Sequence, residues 1–229
     1  MLAIPFCLLA PIVLFGDITG GHFNPAVTLA VFITLGEYAK NIVFMVMIMI
    51  SQFLGGMLAI GLVKLGQIGS SNPNVAFIAP VNLATGKTDM GNSNGHFTED
   101  LPVCINEVLC TFVFISVILM IKGQHTAGDR KGLGAAMTVV LTLLACIAAT
   151  GKFGGAFNPA VGLTLTTNGL IYLGHQHYIY HYLYAYTLGP LLGGLLAGFF
   201  HLVHAPAHKT PDSTRDFDAS QKETLLYEQ

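Results

Sequence analysis

The residues whose types and spacing could act on a solute are two asparagines, Asn24 and Asn158. Each stands in the same eight-residue phrase. Gly20-Gly21-His22-Phe23-Asn24-Pro25-Ala26-Val27 returns as Gly154-Gly155-Ala156-Phe157-Asn158-Pro159-Ala160-Val161, with seven of eight positions identical at an offset of 134 residues. Such self-similarity is the first signature of a repeat architecture. Asn is a preferred helix N-cap, and Pro at the first helical position lacks the N–H that would go unpaired there. Both phrases therefore predict a helix start. The chemistry on offer is hydrogen bonding, because an amide N–H₂ donates to a lone pair but attacks nothing. No nucleophile, metal cluster or acid–base pair accompanies these asparagines, so permeation or binding is expected, not an enzymatic reaction, and no cofactor is expected. The nine histidines do not form a metal set. His175, His177 and His181 lie beside tyrosines at an expected membrane edge, while His201, His204 and His208 lie at the other end of the last apolar segment.

The elements that must position the asparagines are read from apolar runs. The chain is 53% hydrophobic and only 10% charged, against roughly 25% charged in soluble domains, and its mean hydropathy is +0.64. Glycine is abundant, at 26 residues, as expected where helices pack closely in lipid. There is no basic stripe, so a nucleic-acid partner has no footprint. Cys7, Cys104, Cys110 and Cys146 form no CxxC pair and read as free thiols in apolar surroundings. The run from Met1 has no basic leader and reads as the first apolar segment, not a cleaved signal.

Residues 1–18, 41–63, 101–121, 133–150 and 179–203 are expected to span. Pro5 and Pro11 would bend the first of these, which membrane bundles tolerate, and Asp17 ends it near an interface. The runs opened by the two phrases, 24–36 and 154–167, are too short to cross a hydrocarbon core of about 30 Å at about 1.5 Å per residue. They are too apolar for ordinary loops, so re-entrant half-helices are expected. Residues 64–100 and 122–132 read as loops, and 204–229 as a polar tail. Gln52 and Glu107 are the polar exceptions inside spanning segments. An ionisable residue such as Glu107, one turn from Thr111, should face protein or a water path.

The repeat reaches past the phrase, because Gly55-Gly56-Met57-Leu58-Ala59 matches Gly193-Gly194-Leu195-Leu196-Ala197. Three spanning segments separate the two phrases, an odd number, so the halves enter from opposite faces as an inverted repeat. Two half-helices then meet near the midplane with their N-termini together. Each terminus carries unpaired N–H groups and a positive dipole end. Asn24 and Asn158 would present amide donors to a neutral solute, while a cation would meet two positive ends after losing its water. Lys40, Lys122, Arg130 and Lys131 fall on one side of the membrane, and Lys64, Lys87 and Lys152 on the other, which weakly puts the C-terminus in the cytoplasm.

At this point the doubled Asn-Pro-Ala resembles the aquaporin and aquaglyceroporin family, the major intrinsic proteins, over roughly residues 1–203. The resemblance implies an all-α membrane protein with six spanning helices, two half-helices built on Asn24, Pro25, Ala26 and Asn158, Pro159, Ala160, and a homotetramer with one pore per subunit. It implies that Glu107 braces the loop carrying the second half-helix. By that comparison five of six spanning helices are present and the first is missing, its counterpart of Glu107 falling 27 residues before Met1. The family's selectivity filter maps onto Ile4, Cys146, Gly155 and Val161. Two departures bear on the solute: Val161 stands where the family usually has Arg, and Gly162 where glycerol-type members often have Asp. A wider, more apolar constriction is implied, with glycerol, urea or ammonia plausible beside water.

The expected organisation is thus one channel domain, 1–203, with a first half-repeat 1–63, a loop 64–100 and a second half-repeat 101–203, followed by a cytoplasmic tail, 204–229. The partners implied are water, small neutral solutes and the lipid bilayer. The competing class is a non-conducting structural or regulatory membrane protein with one wall of its bundle open. An active transporter would need coupling-ion residues at the midplane, and none is visible.

Overall fold

The computed structural model describes residues 2–70, 77–82, 87–88, 100–123, 132–173 and 181–204. The expected loop 122–132, most of 64–100 and the tail from 205 lie largely outside them, as do His175, His177 and His208. The described chain runs α1 (Ala3–Thr19), α2 (Pro25–Leu35), α3 (Tyr38–Gly66), a two-residue antiparallel pair β1 (Val81–Asn82) and β2 (Lys87–Thr88), α4 (Asp100–Lys122), α5 (Leu133–Thr150), a 3₁₀ turn (Gly151–Phe153), α6 (Pro159–Leu173) and α7 (Leu183–His204). This is an all-α membrane protein in which the strand pair is a minor loop feature.

Among the described residues four helices, α3, α4, α5 and α7, are long and apolar enough to cross a membrane. The expected fifth, α1, is equally apolar but has 17 residues, or about 25 Å at 1.5 Å per residue, slightly short of the hydrocarbon core. Pro11 sits inside it without ending it. The α2 helix has 11 residues and closes on Gly36 in the left-handed conformation (φ 73°), a conformation that suits glycine. The α6 helix runs to Leu173, six residues beyond the expected end at 167.

The most extensive packing joins α4 to α7. A Cβ added at Gly189 would lie 2.8 Å from the Glu107 Cβ, and one at Gly193 would lie 2.6 Å from the Val108 carbonyl. Glycine thus lets the two backbones touch, the usual means of helix association where lipid supplies no hydrophobic drive. The same helix accepts α2 on its other glycines: a Cβ added at Gly194 would lie 2.5 Å from the Ala26 carbonyl oxygen, and one at Gly198 would lie 3.1 Å from the Ile33 Cβ. The main core cluster gathers Ala26, Ala30, Phe114, Ile115, Phe157 and Ala197 from α2, α4, α7 and the second phrase. By contrast, no residue of α3 is buried, and nothing among the described residues lies within 4 Å of a Cβ built at Gly55.

Candidate functional site: two facing half-helix N-termini

Both phrases build the same local structure. Asn24 caps α2 with extended backbone (φ −158°, ψ 120°), its Oδ1 accepting from the Ala26 N–H at 2.8 Å. Asn158 Oδ1 accepts from the Ala160 N–H at 3.0 Å and, more weakly, the Val161 N–H at 3.5 Å. Pro25 and Pro159 are the first residues of their helices. The phenylalanine before each asparagine is left-handed, Phe23 at φ 47° and Phe157 at φ 48°. That region is rare for a bulky residue and costs on the order of 1 kcal/mol. Its occurrence at both equivalent positions marks it as part of the device.

The consequence of that bend is a reciprocal pair of bonds. Asn24 Nδ2 donates to the Phe157 carbonyl at 2.8 Å, and Asn158 Nδ2 donates to the Phe23 carbonyl at 2.9 Å. Each amide therefore holds the opposite loop, and the N-termini of α2 and α6 meet head to head. Each N–H₂ retains a second hydrogen. The asparagines predicted the helix starts; the phenylalanine carbonyls as their partners were not foreseen, although an identical Phe in both copies was the available signal.

The loop before α6 is held from two further sides. Glu107, fully buried, accepts with both carboxylate oxygens, from the Ala156 N–H at 2.8 Å and the Phe157 N–H at 2.9 Å. Tyr186 of α7 donates its hydroxyl to the Phe153 carbonyl at 2.6 Å. The loop before α2 has a different support: Lys122 Nζ, at the end of α4, donates to the Gly20 carbonyl. Gln52, polar within α3, donates Nε2 to Thr28 Oγ1 at 3.0 Å on the first turn of α2.

Glycines set how closely the halves interlock. Gly56 packs on the Thr164 hydroxyl and the Ala160 carbonyl of α6, as Gly194 packs on Ala26 of α2. Each long helix thus carries the opposite half's half-helix, as an inverted repeat requires. At Gly162 a Cβ would run into the Tyr186 backbone, so the position has no room for an Asp.

The four residues mapped onto the filter are spread unevenly. Ile4 lies on the exposed surface of α1 (67% exposed) and Val161 is partly exposed at 38%. Cys146 is buried against α4, its Sγ donating to the Cys110 carbonyl at 3.5 Å. Gly155 is close to it through Thr150, whose Oγ1 donates to the Cys146 carbonyl at 3.0 Å and lies 3.0 Å from a Cβ at Gly155. Cys146 and Gly155 are thus brought together by Thr150. Of the four thiols only Cys146 is buried, and Cys7 is exposed on α1.

Residues of α1, α4, α5 and the first loop line a cavity of about 430 Å³. Ile12, Asp17, Gly20, Lys122 and Val139 contribute to its wall, so it opens from the Gly20–Gly21 backbone toward the ends of α1 and α4. Among the described residues no three His, Cys, Asp or Glu side chains cluster as metal ligands.

The fold and the site together define a multi-pass membrane protein built on two facing half-helices. The major intrinsic protein family model matches residues 1–201, and the chain belongs to that family. It is 31% identical over 153 residues, 64% of this chain, to the glycerol uptake facilitator protein-like 6 of Lactiplantibacillus plantarum. It is 27% identical over 188 residues, 78% of this chain, to aquaporin-1 of Rhizophagus irregularis. The matched regions span 59% and 58% of the lengths of those two relatives.

Proposed function

We propose that the protein is a passive transmembrane conduit for water and small uncharged solutes, with Asn24 and Asn158 at its centre. The observation that carries the reading is the reciprocal Asn–carbonyl pair, which joins two helix N-termini and leaves one N–H on each amide for a passing solute. Ion exclusion follows from magnitudes. Two half-charges about 5 Å from a monovalent cation, at an effective dielectric near 20, oppose it by about 3 kcal/mol. Loss of its hydration shell opposes it by several kcal/mol more. A neutral solute faces neither term and exchanges water hydrogen bonds for amide ones.

Ile4, Cys146, Gly155 and Val161 are proposed as the outer constriction. An aliphatic side chain at 161 adds neither charge nor donor, which supports passage of glycerol, urea or ammonia beside water; the relatives named for glycerol uptake and for water agree with that range. A homotetramer, the channel domain 1–203 and a cytoplasmic tail 204–229 belong to the same proposal. The exposed apolar surface of α3, including Phe44, Leu54 and Leu58, gives subunit contacts a place to form.

One observation favours a second reading, a non-conducting membrane protein: no residue of α3 is fully buried and Gly55 faces open space among the described residues, so the outer flank of α3 lacks a neighbour there. Stopped-flow swelling of proteoliposomes with water, glycerol and urea separates the two. Rates well above those of empty liposomes are expected for at least one solute; rates equal to them for all would leave the non-conducting reading. Val161→Arg is expected to slow glycerol more than water, and unchanged rates for both would remove Val161 from the constriction.

A further inference from the structure

Cys110 and Cys146 face each other across the α4–α5 interface. Cys146 Sγ donates to the Cys110 carbonyl at 3.5 Å, which sets its sulfur against the backbone of Cys110. Cys110 Sγ donates to Asn106 Oδ1 at 3.7 Å, and Thr150 Oγ1 donates to the Cys146 carbonyl at 3.0 Å. Asn106 Nδ2 is buried with no partner. An amide so placed can serve both forms of one sulfur: its oxygen accepts from the thiol, and after rotation its N–H₂ donates to the thiolate. The unused donor is unexplained by packing, yet it is what a reactive thiolate needs in an apolar wall.

We propose that Cys110 and Cys146 form a peroxide-sensitive dithiol that closes into a disulfide joining α4 to α5. Hydrogen peroxide is the oxidant, a small neutral hydrogen-bonding molecule of the class proposed above for the conduit; its access along that path rests on the conduit reading, the chemistry does not. The Cys110 thiolate attacks one peroxide oxygen. An S–O bond forms, the O–O bond breaks, and the departing hydroxide takes the thiol's proton and leaves as water. Cys146 sulfur then attacks the sulfenic sulfur. The S–S bond forms, the S–O bond breaks, and the hydroxyl leaves with the second thiol proton as another water. Two thiols and one peroxide give one disulfide and two waters.

Two physical terms direct the reaction to this product. The second thiol already lies against the backbone of the first residue, so closure is intramolecular and outruns a second oxidation. The disulfide is also uncharged, whereas a sulfinic acid would place an ionised group among apolar side chains.

The test treats the protein in micelles and in liposomes with hydrogen peroxide, then blocks free thiols, unfolds the chain and cleaves it at Arg130 and Lys131 with trypsin. A peptide pair carrying Cys110 and Cys146, lighter by about 2 Da than the two reduced peptides, is expected, and dithiothreitol should separate it. Cys110→Ser and Cys146→Ser should each abolish the pair, whereas Cys7→Ser and Cys104→Ser should leave it. Cys110 or Cys146 recovered only as free thiol or as sulfinic acid would overturn the proposal, as would a link that survives either Ser variant. Wild-type protein alone decides the point if a variant fails to fold. Swelling rates on the same liposomes report separately on the conduit: no swelling with the cross-link present would sink that reading and leave the dithiol standing, and swelling without the cross-link would do the reverse.

Discussion

The two halves write the same phrase and hold it differently. The second loop is held from the interior, by the Glu107 carboxylate on two backbone N–H groups and by the Tyr186 hydroxyl on Phe153. The first loop is held from its rim by the Lys122 ammonium on the Gly20 carbonyl, an exposed bond. No described carboxylate stands toward the His22 and Phe23 N–H groups as Glu107 stands toward Ala156 and Phe157. The long helices differ in the same sense. Gly193 of α7 touches the α4 backbone, whereas Gly55, its equivalent on α3, touches nothing described. Identical local sequence therefore gives identical local geometry, while the support depends on which helix stands behind it. A buried charge-assisted pair of bonds is strong because water cannot replace it, and a rim bond competes with water.

Removing the supports should expose that contrast most plainly. Glu107→Ala leaves two buried N–H groups unpaired and should destabilise the protein by about 3–5 kcal/mol; Lys122→Met should cost less than about 1 kcal/mol. Thermal unfolding in micelles measures both, and equal losses would break the comparison. Packing gives the next effect. Gly193→Ala should cost about 1–3 kcal/mol by overpacking against α4, while Gly55→Ala should stay within about 0.5 kcal/mol. A large loss at Gly55 would show that α3 has a close neighbour in the membrane.

The asparagines test the symmetry itself. Asn24→Ala and Asn158→Ala each remove one cap and one cross-loop bond, so each should cost about 1–2 kcal/mol, with values that agree closely. Hydrogen exchange at residues 20–23 and 154–157 should rise in both loops for either variant, because each amide holds the other's carbonyl. A rise confined to the mutated loop would contradict the reciprocal pairing. Gln52→Leu should cost slightly less than either asparagine, about 0.5–1.5 kcal/mol, since Thr28 Oγ1 keeps its bond to the Asn24 carbonyl at 3.1 Å.

Much of this was legible from residues near one another in the chain. Asn-Pro announced each helix start because capping is a local matter of one side chain and the next two N–H groups. The lengths of the apolar runs gave four of the five expected spanning helices to within a few residues, whereas α1 is slightly short and the half-helix α6 continues to Leu173. Thr166 and Asn168, polar residues on either side of the expected end, are buried in the fold. The missing Asp at 162 was visible as a departure; its reason was not, since Tyr186 lies 24 residues further on.

What the sequence alone determined is the repeat, its inversion and the chemistry of the two asparagines, because these follow from residue type, spacing and the odd number of crossings. What the tertiary structure decided is where each donor goes. Asn24 reaches the Phe157 carbonyl, Glu107 the N–H groups of 156 and 157, Lys122 the Gly20 carbonyl, and Cys146 the backbone of Cys110. Each pairing joins residues 36 to 133 positions apart. Their choice depends on how closely two backbones approach, which glycines such as Gly193 and Gly194 allow only after the helices have packed.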